Sequence, residues 1–389
     1  MNQKLLAPIT LAVLLCSLGT GTQASPRDRW PMYQANAEHT GFVPQTILPS
    51  ATQARWSVQA QGTNFSGLAI SDGLVFTTPI SFFAMVTPLV AQDLATGAVA
   101  WSLDFGDVHS LNQPAIADGR VYVQTSHSSY RTFLHCYGVD GSFQWRMPFD
   151  SQWEHYLGPI IVDGNLYING GTYGGMYKFD AGDGAMQWYS PLPQYDEWSP
   201  TWANGTLLAY TNRLDIIDPA TGQSLGTIED PDYVWRGYSV GQAAVVVGNL
   251  AYVTNDGRLV AYDLDLQTIA WAHDIDAAGQ VTTDGSELFV RAGGALSVRD
   301  PATGNQLWMW VPTPTGNVAT NLIVTRNYVI AGDGSSTYLV NRVTHQTDRV
   351  YPASGMLAYA ADTLVIATPE GIVEAYDLPT DEIFADGYD

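Results

Sequence analysis

A unit of about 40 residues recurs along the chain, and this repetition restricts the possible folds more than any other feature. Each copy has an alternating strand that ends in Asp, then a turn with Thr-Gly, and a closing Trp. The clearest copies are residues 89–101, 259–271 and 296–308, in which the Trp follows the Asp by eight residues. Residues 176–188 keep the offset, whereas residues 214–226 end in Gly. Equivalent positions fall at 93, 137, 180, 218, 263, 300, 341 and 377.

A second turn signal recurs within the units and completes the prediction of the fold. It consists of Asx-Gly pairs, which supply the positive φ angles that two-residue hairpins require. These pairs are Asp72-Gly73, Asp118-Gly119, Asp163-Gly164, Asn204-Gly205, Gly248-Asn249 and Asp284-Gly285. Forty residues accommodate four short strands. The sequence therefore predicts an all-β fold, an eight-bladed β-propeller of four-stranded blades.

The two ends of the repeat array are complementary. The last unit, which contains Asp377, is too short for a fourth strand, and an orphan strand at 54–58 precedes the first unit. Pairing the two would close a ring and leave only short outer sheet edges. We therefore expect one propeller domain over residues 54–389, closed by its N-terminal strand, after a lead-in segment at 25–53. An open solenoid is the alternative.

Residues 1–24 have the features of an export signal. Lys4 precedes an apolar run at 11–18, which is too short to span a bilayer, and small residues precede position 25. Cys16 allows a lipoprotein alternative, but Leu15 stands where lipoprotein signals have a small residue. We expect an exported monomer, periplasmic or secreted, without a transmembrane segment.

Charge and cysteine content exclude several classes of protein. The chain has 38 acidic and 16 basic side chains and a net charge of −22, which disfavours nucleic acids and anionic membrane surfaces as partners. Once the signal is removed, Cys136 is the single thiol, so no intramolecular disulfide can form. We expect Cys136 to be a small buried hydrophobic side chain rather than a nucleophile.

The units resemble the quinoprotein-type, or PQQ-like, repeat, in which a Trp is wedged between blades. The resemblance covers nearly all of the mature chain, including Trp30-Pro31-Met32-Tyr33 and His39-Thr40-Gly41 in the lead-in. It implies structural roles for the repeated residues: the Asp caps its turn, the Gly takes a left-handed conformation, and the Trp fills the gap between sheets. At the level of the fold, it extends to the propeller lipoprotein that assists outer-membrane protein assembly, whose lipobox is missing at Leu15.

Quinone-dependent enzymes of this type hold PQQ and Ca²⁺ under a disulfide between two adjacent cysteines. The sequence has no adjacent Cys pair and no loop of closely spaced oxygen ligands for calcium. We therefore expect neither PQQ, calcium nor another metal, and a quinone-dependent dehydrogenase is the least favoured function.

Loops on one face of the predicted propeller carry more aromatic and ionisable residues than turns require. Within the early units the long loops are 78–88, 125–131 and 169–175, and between units they are 153–156, 195–198 and 233–236. Such loops either plug the central channel or form a ligand surface. On the second interpretation, the candidate ligand-binding residues are Trp153, Tyr173, Tyr195, Trp198, Trp235 and Arg236.

Two classes of function follow from these loops. The first is a non-catalytic binding or scaffold module for a glycan, a peptide or an envelope protein, because aromatic side chains suit sugar faces and peptide side chains. The alternative is a polysaccharide lyase, which needs a base, an acid and a cation that neutralises the uronate. His127 or His155 would be the base, Tyr156 or Tyr173 the acid, and Arg131 or Arg236 the neutralising cation.

Overall fold

The computed structural model describes residues 28–60, 62–79, 88–106, 108–126, 132–151, 157–312 and 316–381. Strands dominate these residues, joined by tight turns, and one short 3₁₀ segment is Tyr33–Ala35. The predicted all-β fold is therefore confirmed. None of the described helical segments is long and apolar enough to cross a membrane.

The strands form successive antiparallel sheets in chain order. The first sheet has β2 (Phe65–Ser71), β3 (Leu74–Pro79), β4 (Pro88–Asp93) and β5 (Val99–Asp104). The second has β6 (Ser110–Leu111), β7 (Ala115–Ala117), β8 (Arg120–Ser126), β9 (Thr132–Gly138) and β10 (Phe143–Phe149). The third has β11 (Ile160–Val162), β12 (Asn165–Asn169), β13 (Gly175–Asp180) and β14 (Met186–Pro191). The fourth has β16 (Thr201–Ala203), β17 (Thr206–Tyr210), β18 (Arg213–Ile217) and β19 (Ser224–Glu229).

The fifth and sixth repeat units share one strand. They comprise β21 (Val245–Val247), β22 (Leu250–Asn255), β23 (Gly257–Asp263), the 16-residue β24 (Thr268–Thr283), β25 (Leu288–Ala292), β26 (Ala295–Arg299) and β27 (Gln306–Trp310). The seventh unit has β28 (Ile323–Val324), β29 (Tyr328–Gly332), β30 (Thr337–Asn341) and β31 (Thr347–Tyr351). A separate parallel pair joins β15 (Asp196–Trp198) to β20 (Ser239–Gln242).

The last sheet combines the first and the last strand of the described chain. It contains β32 (Met356–Ala360), β33 (Thr363–Ala367), β34 (Ile372–Asp377) and the N-terminal β1 (Trp56–Gln59). Strand β1 runs antiparallel to β34, with Trp56 opposite Ala375 and Ser57 opposite Glu374. The expected pairing of the orphan strand with the last unit is therefore present.

The repeated residues have the structural roles that the repeat implies. The Asp300 carboxylate accepts hydrogen bonds from the Thr303 backbone N–H and hydroxyl, both at 2.8 Å. The Trp271 indole packs on Gly304 in the next unit and donates to the Pro301 carbonyl at 3.2 Å. The same indole-to-carbonyl bond joins Trp101 to Val139, Trp145 to Ala181 and Trp188 to Pro219. These four tryptophans therefore fix their sheets against the following ones.

The lead-in segment is an integral element, which the sequence did not indicate. Its backbone bonds to one strand in each of five sheets: Trp30 to Ile70, Pro31 to Ile116, Ala37 to Trp202, Thr40 to Thr283, and Gly41 to Val324. His39 is fully buried, with its ring nitrogens 2.9 and 2.8 Å from the Tyr33 and Pro200 carbonyl oxygens. These partners lie at the Asx-Gly ends of the sheets, so the segment ties several sheets together on that side.

The core consists of apolar side chains between neighbouring sheets. Large buried aromatics include Phe76, Phe179 and Phe289, none of them more than 1 % exposed. Cys136 is also fully buried, and burial raises the pKa of its thiol to about 11, so it is an unreactive packing residue as expected.

Candidate functional site

Four aromatic rings, two of them half-buried and two exposed, form a cluster where two inter-unit loops meet. Tyr195 lies 6.3 Å from Tyr233 and 6.0 Å from Tyr238, and Tyr238 lies 5.7 Å from Trp235, measured between ring centroids. All three pairs meet edge to face. Trp235 is 60 % exposed and Tyr238 is 54 % exposed. We call these four residues the aromatic surface.

The loops that carry the aromatic surface are held by backbone pairing. Strands β15 and β20 run parallel beside it, and the Asp196 N–H donates to the Tyr238 carbonyl at 2.7 Å. Asn255 fixes the other loop, because its side chain accepts from the Val234 N–H and donates to the Val234 carbonyl. The exposed rings therefore stand on a backbone that is already ordered.

A buried ion pair supports the base of the second loop. The Arg258 guanidinium donates to the Asp230 carboxylate at 3.0 Å, and the Asp230 side chain has no exposed area. Arg258 also donates to the Asp232 carbonyl at 2.8 Å. Removing one partner of such a pair would leave an uncompensated charge in the interior. This contact therefore fixes the start of the loop strongly.

Two of the predicted ligand residues, Trp198 and Arg236, are not part of the aromatic surface. Trp198 is 1 % exposed, packs in the core and donates its indole N–H to the Tyr195 carbonyl at 3.0 Å. It therefore supports the aromatic surface from below. Arg236 is exposed at the edge of the surface and forms an ion pair with Asp256.

Tyr173 lies on the neighbouring loop, in a groove of about 700 Å³ that is also lined by Phe149, Tyr177 and Tyr189. This loop is adjacent to the one that carries Tyr195. A side chain at Gly174, which has φ of +86°, would collide with the backbone of Pro193 and Gln194. Only glycine permits this close approach, which brings the groove next to the aromatic surface.

The hydroxyl groups of Tyr233 and Tyr177 remain protonated at neutral pH. Burial, with a contribution from its hydrogen bond to Tyr195, raises the pKa of Tyr233 above the ordinary value of 10.0. Burial and the nearby Asp150 carboxylate raise the pKa of Tyr177 to about 12. Protonated hydroxyls act as hydrogen-bond donors beside apolar ring faces, which suits recognition rather than proton abstraction.

Of the residues proposed for the lyase chemistry, Tyr173 and Arg236 are described above, and the other four lie outside the described part of the chain. These four are His127, Arg131, His155 and Tyr156, and the ligand candidate Trp153 lies there too. Across the described residues, no group of three His, Cys, Asp or Glu side chains is arranged to hold a metal ion.

Sequence reasoning missed Tyr238, which completes the cluster two residues after Arg236. It also missed a concavity of about 810 Å³ on the opposite side, between the lead-in segment and the Asx-Gly turns. Val43 and Ile161 contribute to its floor, and Glu38 and Asp163 to its rim. The turn residues could have indicated this rim, but the position of the lead-in segment could not have been inferred.

Comparison with solved structures shows the fold. BamB from Moraxella catarrhalis superposes with a TM-score of 0.65 at 14% identity, covering 85% of this chain and 100% of that chain. A europium-containing methanol dehydrogenase gives 0.61 at 11%, covering 89% and 88%. A quinohemoprotein alcohol dehydrogenase from Comamonas testosteroni gives 0.57 at 14%, covering 92% and 81%. The predicted β-propeller fold is therefore confirmed.

Sequence comparison assigns the family. No curated protein matches the chain. A family model described as outer membrane protein assembly factor BamB matches residues 48–134, 89–308 and 233–384, which together span most of the chain. The chain therefore belongs to the family of outer membrane protein assembly factor BamB, within the PQQ-like repeat proteins.

Proposed function

We propose that this protein is a non-catalytic propeller of the cell envelope that binds a protein partner through the aromatic surface. The observation that carries the proposal is the pair of exposed rings, Trp235 and Tyr238, on a backbone fixed by Asn255 and by strand β20. Trp, Tyr and Arg are the residues that most often dominate binding energy at protein interfaces. Ordering them beforehand lowers the entropic cost of association.

The family supports a protein as the partner. Its description refers to the assembly of outer membrane proteins, an activity that depends on contacts between proteins. The superposition includes the whole length of BamB from Moraxella catarrhalis, which favours a similar role as a scaffold. The signal-like residues 1–24 support export to the periplasm or beyond.

We also propose that the repeat units form an eight-bladed ring closed by β1. Two contacts support closure. Strand β1 pairs with β34 of the last unit, and its Trp56 packs on Gly97 of the first unit and donates to the Leu94 carbonyl at 2.9 Å. Trp56 thus repeats the contact that the other Trp residues make with the following unit.

The test compares partner capture by the native protein and by the double variant Trp235→Ala, Tyr238→Ala. A matched control replaces two exposed apolar side chains elsewhere, Leu266→Ala with Val343→Ala, which are 73 % and 84 % exposed. Captured envelope proteins are identified by mass spectrometry, purified and titrated calorimetrically against each variant.

We expect one partner protein to bind the native and control proteins equally and the double variant at least tenfold more weakly. Equal binding by all three proteins would overturn the role of the aromatic surface. A glycan array is probed in parallel, and retention of glycans without any protein partner would favour the carbohydrate-binding hypothesis instead.

A further inference from the structure

One outer strand carries an uninterrupted apolar stripe. On β27 and immediately after it, Leu307, Met309 and Val311 alternate with the tryptophans and are 52 %, 49 % and 46 % exposed. Alternate residues of a strand point to the same face, so these three side chains form one row along the edge. None of the residues Gln306–Trp310 is charged, in a chain with a net charge of −22.

Several other outer strands of the same molecule are protected by charge. Natural proteins place charged side chains on edge strands, because an open apolar edge recruits other strands. The outer strands β5, β10, β19 and β31 follow this rule with exposed charged residues, Asp104, Arg146, Glu229 and Arg349, whereas the outer strands β14 and β1 carry no charged residue. Strand β27 also carries no charge, and it differs from these strands in its row of three exposed apolar side chains, which the repeat does not require.

Strand β27 is also firmly held on its other face. The Trp310 indole donates to the Thr347 hydroxyl at 3.0 Å in the next unit, and the Trp308 ring stacks on His345 at 4.4 Å. The edge is therefore ordered before anything binds to it, and an added strand would not have to organise it.

The backbone of β27 has one strand neighbour among the described residues, β26. Its outward N–H and C=O groups can be satisfied by a further extended chain but not by a helix or a globular side-chain surface. We propose that β27 is a strand-addition site for an extended, uncharged or basic polypeptide segment with apolar side chains at alternate positions. The site is separate from the aromatic surface, and its function does not rest on the partner proposed above.

The charge of the molecule favours a foreign segment over a second copy. Pairing β27 with its own copy would bring together two bodies that each carry a net charge of −22. A short uncharged or basic segment meets no such repulsion, and its whole length takes part in backbone pairing.

The probe is a capped peptide, Lys-Thr-Val-Thr-Val-Thr-Val-Lys, added to the full-length protein. Binding is measured by fluorescence anisotropy, and the bound segment is located by hydrogen exchange. A second peptide with its six central amides N-methylated keeps the side chains and the charge but lacks the backbone donors. The variants are Met309→Lys and Leu307→Lys, with Val99→Lys on β5 as the matched control, because Val99 is 57 % exposed on another outer strand. Thermal melting verifies that each variant is folded.

We expect the peptide to slow exchange of the β27 amides at least fivefold, and either β27 variant to raise the dissociation constant at least tenfold. Val99→Lys should change it less than twofold, and the N-methylated peptide should not bind. The proposal is overturned by unprotected β27 amides, by equal binding of the two peptides, or by equal effects of the β27 and β5 variants. Dimerisation of the native protein that Met309→Lys abolishes would also overturn it, because the occupant would then be a second copy.

Discussion

At the scale of single residues, two tryptophans in one region have opposite roles. Trp198 is buried under the aromatic surface, whereas Trp235 is exposed on it. Trp198→Ala should therefore lower the free energy of unfolding by about 3–5 kcal/mol, through lost packing and a lost hydrogen bond. Trp235→Ala should change it by less than about 0.5 kcal/mol. Urea denaturation of both variants measures the contrast, and equal losses would show that Trp235 packs internally.

The sequence could identify these residues as candidates but could not distinguish the buried tryptophan from the exposed one. Tyr195 and Trp235 are both predicted ligand residues, and the rings of both pack against the ring of Tyr238. The burial of Trp198 depends on core residues of the third and fourth units, which no local pattern reveals. Loop aromatics follow no period, so their exposure is decided by tertiary packing alone.

A buried histidine makes stability depend on pH. Burial, together with the nearby Arg146 charge, lowers the pKa of His135 from 6.5 to about 3. Between these values the unfolded chain binds a proton that the folded chain does not, so stability is complete above pH 6.5 and falls as the pH decreases. Urea titrations at pH 6 and 4 should show a steeper loss for the native protein than for His135→Leu. The expected difference is about 1.4 kcal/mol per pH unit, and identical slopes would contradict the assignment.

At the scale of structural elements, the repeat was predictable and the lead-in segment was not. Each unit satisfies the same local requirements, as the Asp300 turn and the Trp271 contact illustrate, so its residues recur at fixed spacing. The lead-in segment has no repeated partner, because its backbone bonds to strands of five different sheets. Sequence patterns report local rules, and the path of this segment is set by distant backbone groups.

Gly41 tests whether the lead-in segment is part of the fold. Its φ is +62°, and an added methyl group would lie 2.8 Å from the Thr282 side chain and 3.1 Å from the Leu322 carbonyl. Gly41→Ala should therefore destabilise the protein by about 3 kcal/mol. The control Gly73→Ala has a similar φ of +73° in open space and should cost about 1 kcal/mol. Equal losses in chemical denaturation would mean that the segment does not pack as described.

At the scale of the whole molecule, the proposed ring closure depends on the pairing of the first strand, β1, with the last strand, β34. Ser57 lies opposite Glu374 and donates to its carboxylate at 2.9 Å. The pair Ser57→Cys, Glu374→Cys should form a disulfide on oxidation and raise the free energy of unfolding by about 3–5 kcal/mol, because it closes a very long loop. The mismatched pair Ser57→Cys, Glu229→Cys should form no intramolecular bond. Failure of the matched pair to crosslink would indicate an open array.

The most direct test of the central claim uses the protein in its own envelope. A photo-crosslinking amino acid replaces Trp235 in one version and the exposed Leu266 in another, and crosslinked products are identified by mass spectrometry. We predict a crosslink from position 235 to one envelope protein, its loss when Tyr238→Ala is added, and no product from position 266. Absence of a protein product at position 235, or the same product from both positions, would contradict a partner-binding role for the aromatic surface.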